Sequence, residues 1–204
     1  MIIHDVEQRS AEWFALRAGK LTGSKGSMLV TPTGRPSAQY RGEIARIIAE
    51  KMLWQEPESI KPTYWMERGV NMEAEARRWF EVEVGPATEV GFCEDHTGMM
   101  GYSPDGLMED NTSVELKCPK PSTHIQWVID GELPSIHKAQ CHFALAISEA
   151  PYMWFMSYSP NIEPLLVKVE PDDYTETMHH QMGKYIDEFQ SAFKRITGID
   201  YGTL

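Results

Sequence analysis

Disulfide chemistry has little to work with in this chain. It has only three cysteines, Cys93, Cys118 and Cys141, odd in number and widely spaced. They read as free thiols in a reducing cytoplasm. No CxxC pair or His/Cys cluster offers a structural zinc or iron–sulfur site; His137 and His142, five residues apart, do not share a helical face. Also missing is any run of about 18 apolar residues, which excludes a membrane-spanning helix. The opening MIIHDVEQRS lacks the charged and apolar regions of a signal peptide. No repeat, low-complexity tract or linker interrupts the 204 residues, so 1–204 is expected to be a single domain. A hydrophobic fraction of 42% is ample for its core.

Basic charge is scarce as well. The net charge of -11 argues, at face value, against nucleic acid. The distribution does not: residues 9–51 carry eight basic side chains against three acidic ones, and the remainder is strongly acidic. Such asymmetry permits a local phosphate-binding surface on an acidic body. A pair of ordinary solvated helices fits the same count.

What is present divides into helices, then strands, then helices and strands again. SAEWFALRA (10–18) reads as a short helix with Ser10 as N-cap and Gly19 just past its end. TGSKGSML restarts at Thr22 or Ser24, and TPTGRPS is a loop. Tyr40, Ile44, Ile47, Ile48 and Met52 recur at helical spacing. Residues 56–63 are proline-rich and read as loop, and a helix is expected over about 64–83. TEVGFCED, GMMGYS and SVELKC read as strands. Helices are expected near 121–131 and 135–149, strands at YMWFMSYS and PLLVKVEP. A long amphipathic helix follows from about 172, marked by Met178, Met182, Tyr185, Ile186, Phe189 and Phe193. The order suggests an α/β or α+β fold, with helices on the faces of a central mixed β-sheet.

The chemistry concentrates in SPDGLMEDNTSVELKC (103–118). A strand has a side-chain period of two, so Glu115 and Lys117 share one face while Val114, Leu116 and Cys118 take the other. If the strand ending at Asp105 pairs with SVELKC, the Asp105 and Glu115 carboxylates converge. A divalent cation relieves their repulsion, and oxygen donors of this kind favour Mg²⁺ or Mn²⁺. The Leu116 carbonyl can add a third oxygen, and Lys117 can act on water or phosphate. A polar hairpin face with a Glu–Lys pair is the plainer reading. Two further residues bear on the choice. Glu73 lies in a stripe with Met66, Gly69, Ala76 and Phe80, where a carboxylate needs a partner; an exposed position at the stripe's edge, paired with Arg77 at i+4, fits equally. Gln140 shares a helical face with Ile136, Phe143, Ala144 and Ile147 and needs a hydrogen-bond partner.

Four blocks in order then carry a resemblance: EWFALRAGKLTGS (12–24), ERGVNMEAEARRWFE (67–81), SPDG with ELKCP, and KAQCHFALA (138–146). Together they resemble lambda exonuclease and the YqaJ-type viral recombinase nucleases, a branch of the PD-(D/E)XK superfamily. The resemblance implies metal ligation by Asp105, Glu115 and the Leu116 carbonyl, with Lys117 as catalytic lysine. Glu73 and Gln140 fit the residues that orient water and support the lysine. Arg17, Ser24 and Ser103, with Thr22 more weakly, fit the grip on a 5′-terminal phosphate. The loop 30–37 with Arg35 resembles a region that meets DNA at the strand fork. The implied activity is two-metal, Mg²⁺-dependent 5′-to-3′ hydrolysis of linear duplex DNA to mononucleotides, leaving a 3′ tail for a single-strand annealing protein. A ring-shaped homotrimer is implied too. An endonuclease, or a non-catalytic binding module on the same fold, are the alternatives. The Cas4-like branch is disfavoured, because the cysteines form no iron–sulfur set.

Overall fold

A strand of two or three residues has too little pattern to announce itself; five of the eight strands are that short, and three of them lie outside the stretches expected to be extended. In the computed structural model, which describes residues 1–53 and 63–202, they are β1 (Ile2–His4), β2 (Leu21–Thr22) and β5 (Gly106–Leu107). The others are β3 (Phe92–Glu94), β4 (Met100–Tyr102), β6 (Ser113–Lys117), β7 (Met153–Ser157) and β8 (Leu165–Val169), all within stretches expected to be extended. They form two mixed four-stranded sheets, ordered β1-β3-β4-β2 and β5-β6-β7-β8. The mixed-sheet, helix-flanked architecture is therefore present, but divided in two.

That division corrects the expected pairing around Asp105. β4 pairs with β3 and β2 and never meets β6. Pro104 has no N–H to give a ladder, and the chain leaves the first sheet there. It joins the second at once: the Asp105 N–H donates to the Val114 carbonyl at 2.9 Å, and β5 runs antiparallel to β6. The hairpin partner of SVELKC is thus the short β5. The stretch Ser103–Asp105 is the seam between the sheets.

The helices lie where apolar spacing put them: α1 (Ala11–Arg17), α2 (Tyr40–Leu53), α3 (Tyr64–Glu83), α4 (Pro121–Asp130), α5 (Ser135–Ser148) and α6 (Asp173–Thr197). A 3-10 segment, Gly23–Met28, follows β2 with Thr22 at its start. Most of the loop expected over 56–63 falls outside the described residues, as does the Met66 side chain. β6 and β7 are parallel, and α4 and α5 supply the long crossover that parallel strands require. α6 starts in a capping box: Asp172 accepts from the Tyr174 and Thr175 amides, and Thr175 Oγ1 accepts from the Asp172 amide. Its Met178, Met182, Tyr185, Phe189 and Phe193 are buried against α2 and α5 with Ile44, Ile47 and Phe143. A second cluster holds α3 on β6, through Ala76 and Phe80 against Val114, Leu116, Cys118 and Met156. Leu116 thus faces core, as the strand period requires. Two expected stripe members do not: Met52 and Ile136 are exposed, each within a residue of its helix end.

Candidate active site

Strand β6 presents Glu115 and Lys117 on the same face, and they are in direct contact, Lys117 Nζ on Glu115 Oε1. Helix α5 brings Gln140 over them, and its Nε2 donates to the same Glu115 oxygen at 2.6 Å. Asp105, from the seam, accepts the Leu116 amide on Oδ2 at 2.7 Å. This fixes its carboxylate beside β6 with Oδ1 outside the bond. Gln140 can stand so close because Gly26 of the 3-10 segment has no side chain. A Cβ there would lie 2.7 Å from the Ala139 carbonyl oxygen.

Burial acts strongly on this group. Desolvation raises the Glu115 carboxyl to about 7, with Asp105 adding and Lys117 and Gln140 opposing. Burial also works against the Lys117 ammonium, but Glu115 and Asp105 outweigh it and hold Lys117 above the usual lysine range. Lys117 is therefore an ammonium at neutral pH.

Glu73 reaches the site from α3. Its expected i+4 partner, Arg77, is committed elsewhere, with Nε 2.9 Å from Glu89 Oε1. Glu73 pairs instead with Arg9, whose Nη2 lies 2.9 and 2.8 Å from its two oxygens. The carboxyl is raised, first by desolvation, and it feels the charges of both Asp105 and Lys117.

On the other side of the seam, Ser103 Oγ accepts from Trp13 Nε1 at 2.9 Å and from Arg17 Nη1 at 3.2 Å. Arg17 stacks on the Trp13 ring, 4.1 Å from its centroid. Among the described residues, no carboxylate lies within ion-pair distance of Arg17, and burial alone lowers it to about 10. Ser24 Oγ lies 3.3 Å from Thr22 Oγ1. Asp105, Glu115, Lys117, Gln140, Arg17, Ser24 and Ser103 all line one cleft of about 190 Å³, with Trp13 and Arg9. Thr22 lines an adjoining pocket that shares Trp13, Arg17 and Ser24. Arg35 lies outside both, on an exposed turn closed by its carbonyl on the Thr31 amide. Trp13 and Arg9 carried no assigned role in the sequence. The i, i+4 spacing of Trp13 and Arg17 on α1 could have linked those two. Arg9 precedes the helix and meets Glu73 from far along the chain, so no local signal marks it.

The donor set suits a hard divalent cation. Asp105 Oδ1 and Glu115 Oε2 are oxygens outside the bonds just described, and the Leu116 carbonyl is adjacent in sequence. Among the described residues, no group of three or more His, Cys, Asp and Glu side chains forms a metal cage. Two carboxylates and a carbonyl leave positions for water and phosphate, as Mg²⁺ prefers.

Residues 12–151, more than half of the chain, match the model of the YqaJ-like viral recombinase domain. No curated protein is matched by the sequence. Among solved structures, an alkaline exonuclease from Laribacter hongkongensis, LHK-Exo, is similar at 26% identity with a TM-score of 0.78, over 92% of this chain and 96% of that one. The same enzyme in complex with dAMP gives 0.71 at 26% identity, over 93% and 98%. A phage-related exonuclease from Haemophilus somnus shares the fold at 10% identity and a TM-score of 0.55, over 85% of this chain and 96% of that one. Fold and motif order agree: the chain belongs to the YqaJ-like viral recombinase family and carries a PD-(D/E)XK-type fold like that of an alkaline exonuclease.

Proposed function

We propose that the whole chain is one nuclease domain that degrades linear duplex DNA from 5′-phosphorylated ends. It releases mononucleotides and leaves a 3′ strand for a single-strand annealing protein. The observation that carries this is the sharing of one cleft by a carboxylate–lysine cluster and an arginine without an anionic partner. An unpaired, half-buried arginine is costly unless a ligand supplies the anion. The similar LHK-Exo was solved in complex with dAMP, which supports a deoxynucleotide as ligand.

Asp105, Glu115 and the Leu116 carbonyl are the residues to hold Mg²⁺ or Mn²⁺. The family's two-ion chemistry would draw on these same donors. When bound, the cations supply Lewis-acid activation of water and neutralise charge on the phosphate. Lys117, held as an ammonium, stabilises the charge that builds on the scissile phosphate. Gln140 fixes Glu115, and Glu73 orients the attacking water. Arg17, Ser24 and Ser103 take the 5′-phosphate, with Thr22 behind Ser24, and so set the scissile bond relative to the end. Arg35, on its outlying turn, is placed for more distant duplex. Water adds to phosphorus, the 3′ oxygen leaves, and a 5′-mononucleotide is released. A homotrimeric ring around the duplex and a cytoplasmic setting complete the reading. No helix among the described residues is long and apolar enough to cross a membrane.

The test is digestion of a 5′-phosphorylated linear duplex, its 5′-hydroxyl counterpart and a closed circle, each with Mg²⁺ and with EDTA. Only the linear forms should be degraded, the phosphorylated one faster, and EDTA should stop both. Cutting of the circle would make the protein an endonuclease; no cleavage of any form would make it a binding module.

A further inference from the structure

Arg9 has backbone φ of +71°, a left-handed conformation in which a side chain is strained and glycine is at ease. The turn that holds it there is tied down at both sides. Gln8 Nε2 donates to the Val90 and Pro104 carbonyls at 2.9 and 2.8 Å, and Pro104 adjoins Asp105. The Ser10 amide closes the turn on the Glu7 carbonyl, and the Ser10 side chain caps α1 at the Trp13 amide. The strained residue therefore projects from a fixed base between the seam and α1. It crosses to α3, where Nη2 engages both oxygens of Glu73.

We propose that Arg9, which lines the cleft, is a positioning residue that clamps the Glu73 carboxylate beside it, within reach of the charges of Asp105 and Lys117. The proposal rests on the reading of Glu73 as a working part of that cleft. Asp105 repels Glu73, Lys117 attracts it more weakly, and Arg77 is engaged with Glu89. Among the described residues, Arg9 is thus the cation that holds the carboxylate against its acidic neighbour. One nitrogen, Nη2, makes both bonds, so the guanidinium fixes the position of the carboxylate.

The test compares R9G, R9K, E73Q and R9G/E73Q with the wild type on 5′-phosphorylated linear duplex in Mg²⁺, each with its melting temperature. R9G removes the clamp and the strain together, so folding should be kept. Its kcat should fall about tenfold with KM little changed, the mark of lost positioning and not lost binding. R9K, which keeps the charge, should recover part of the loss. In the E73Q background, R9G should change kcat less than about twofold, because the partner is already gone. Unchanged kcat in R9G, a raised KM with unchanged kcat, or an equal loss in both backgrounds would overturn the proposal. Wild-type kcat in E73Q would fell the underlying reading of Glu73 instead. If R9G folds poorly, R9Q takes its place in both backgrounds, with the same changes in kcat and KM expected and the same results overturning the proposal.

Discussion

Replacing Arg17 separates what this protein does from what keeps it folded. The guanidinium is partly buried, stacked on Trp13 and hydrogen-bonded to the neutral Ser103 hydroxyl, with no carboxylate in reach among the described residues. In the free protein it is therefore a desolvated cation without an anionic partner among the described residues, as the proposed phosphate pocket requires. Removing it should cost the fold nothing. In Arg17→Met, whose chain can still pack on Trp13, stability should rise by about 1 kcal/mol, the low end of gains from replacing buried charge by apolar groups. For a chain of this size that is an increase of roughly 2–4 °C in Tm. The loss falls on substrate choice. A hydrogen bond to a charged phosphate contributes roughly 1.5–3 kcal/mol, so the preference for 5′-phosphate over 5′-hydroxyl ends should drop by roughly 10–150-fold. The assay is kcat/KM on two duplexes that differ only at the 5′ end, with Tm measured on the same preparation. An unchanged ratio would remove Arg17 from the phosphate pocket. A large fall in Tm would show that its charge is compensated in the free protein, against the geometry.

Three other perturbations have defined outcomes. Lys117→Met should lower cleavage by about two to three orders of magnitude, the scale of losing one charge-stabilising donor, while duplex binding with a divalent cation persists; activity within tenfold of wild type would refute the assignment. Glu115 is half-protonated near pH 7 in the metal-free fold, so Mg²⁺ must displace a proton below that pH. Apparent Mg²⁺ affinity, read by thermal shift, should fall about tenfold per pH unit below about 7, and a flat profile from pH 6 to 8 would sink the idea. The linked stability has a definite sign. The folded pKa lies above the unfolded one, so the metal-free fold binds the extra proton. This group's contribution to stability is lost as pH rises towards about 7, and E115Q should abolish that slope. Gly26→Ala would press a methyl onto the Ala139 carbonyl. It should cost about 1–3 kcal/mol and lower kcat, because the segment that moves carries Gln140; an unchanged Tm would show that α5 has room to yield.

The site was legible where a local period governs. Alternation on β6 suffices to place Glu115 with Lys117 and to turn Leu116 to the core, and helical spacing suffices to bring Gln140 to a face that needs a partner. It was not legible where tertiary contacts override local ones. The i+4 rule offers Arg77 to Glu73, yet Arg77 goes to Glu89 and Glu73 to Arg9. Exposed i, i+4 pairs contribute only a few tenths of a kcal/mol, so a better-placed cation displaces one easily. The two-sheet division was hidden for a related reason. GMMGYS and SVELKC both read as strands, and nothing local shows that Pro104 sends them to different sheets through a partner of only two residues.

That division bears on how the two proposed binding tasks could share one small cleft. Ser103 still belongs to the first sheet's side, where it meets Trp13 and Arg17; Asp105, two residues on, is already hydrogen-bonded into the second, beside Glu115 and Lys117. On the proposed reading, the seam would hold the end-binding and cleaving groups in register through two peptide bonds, with Pro104 restricting the chain between them. Charge then sets the order of assembly. Of the cleft's cations, Arg9 pairs with Glu73 and Lys117 with Glu115, and among the described residues no carboxylate lies within ion-pair distance of Arg17. A 5′-phosphate can be met by Arg17 alone, but the scissile phosphate must enter beside Asp105 and Glu115, where a further negative charge is repelled. On the proposed reading, cleavage should depend on divalent cations more steeply than end capture does; equal dependence of the two, read by cleavage and by end binding with and without EDTA, would refute it.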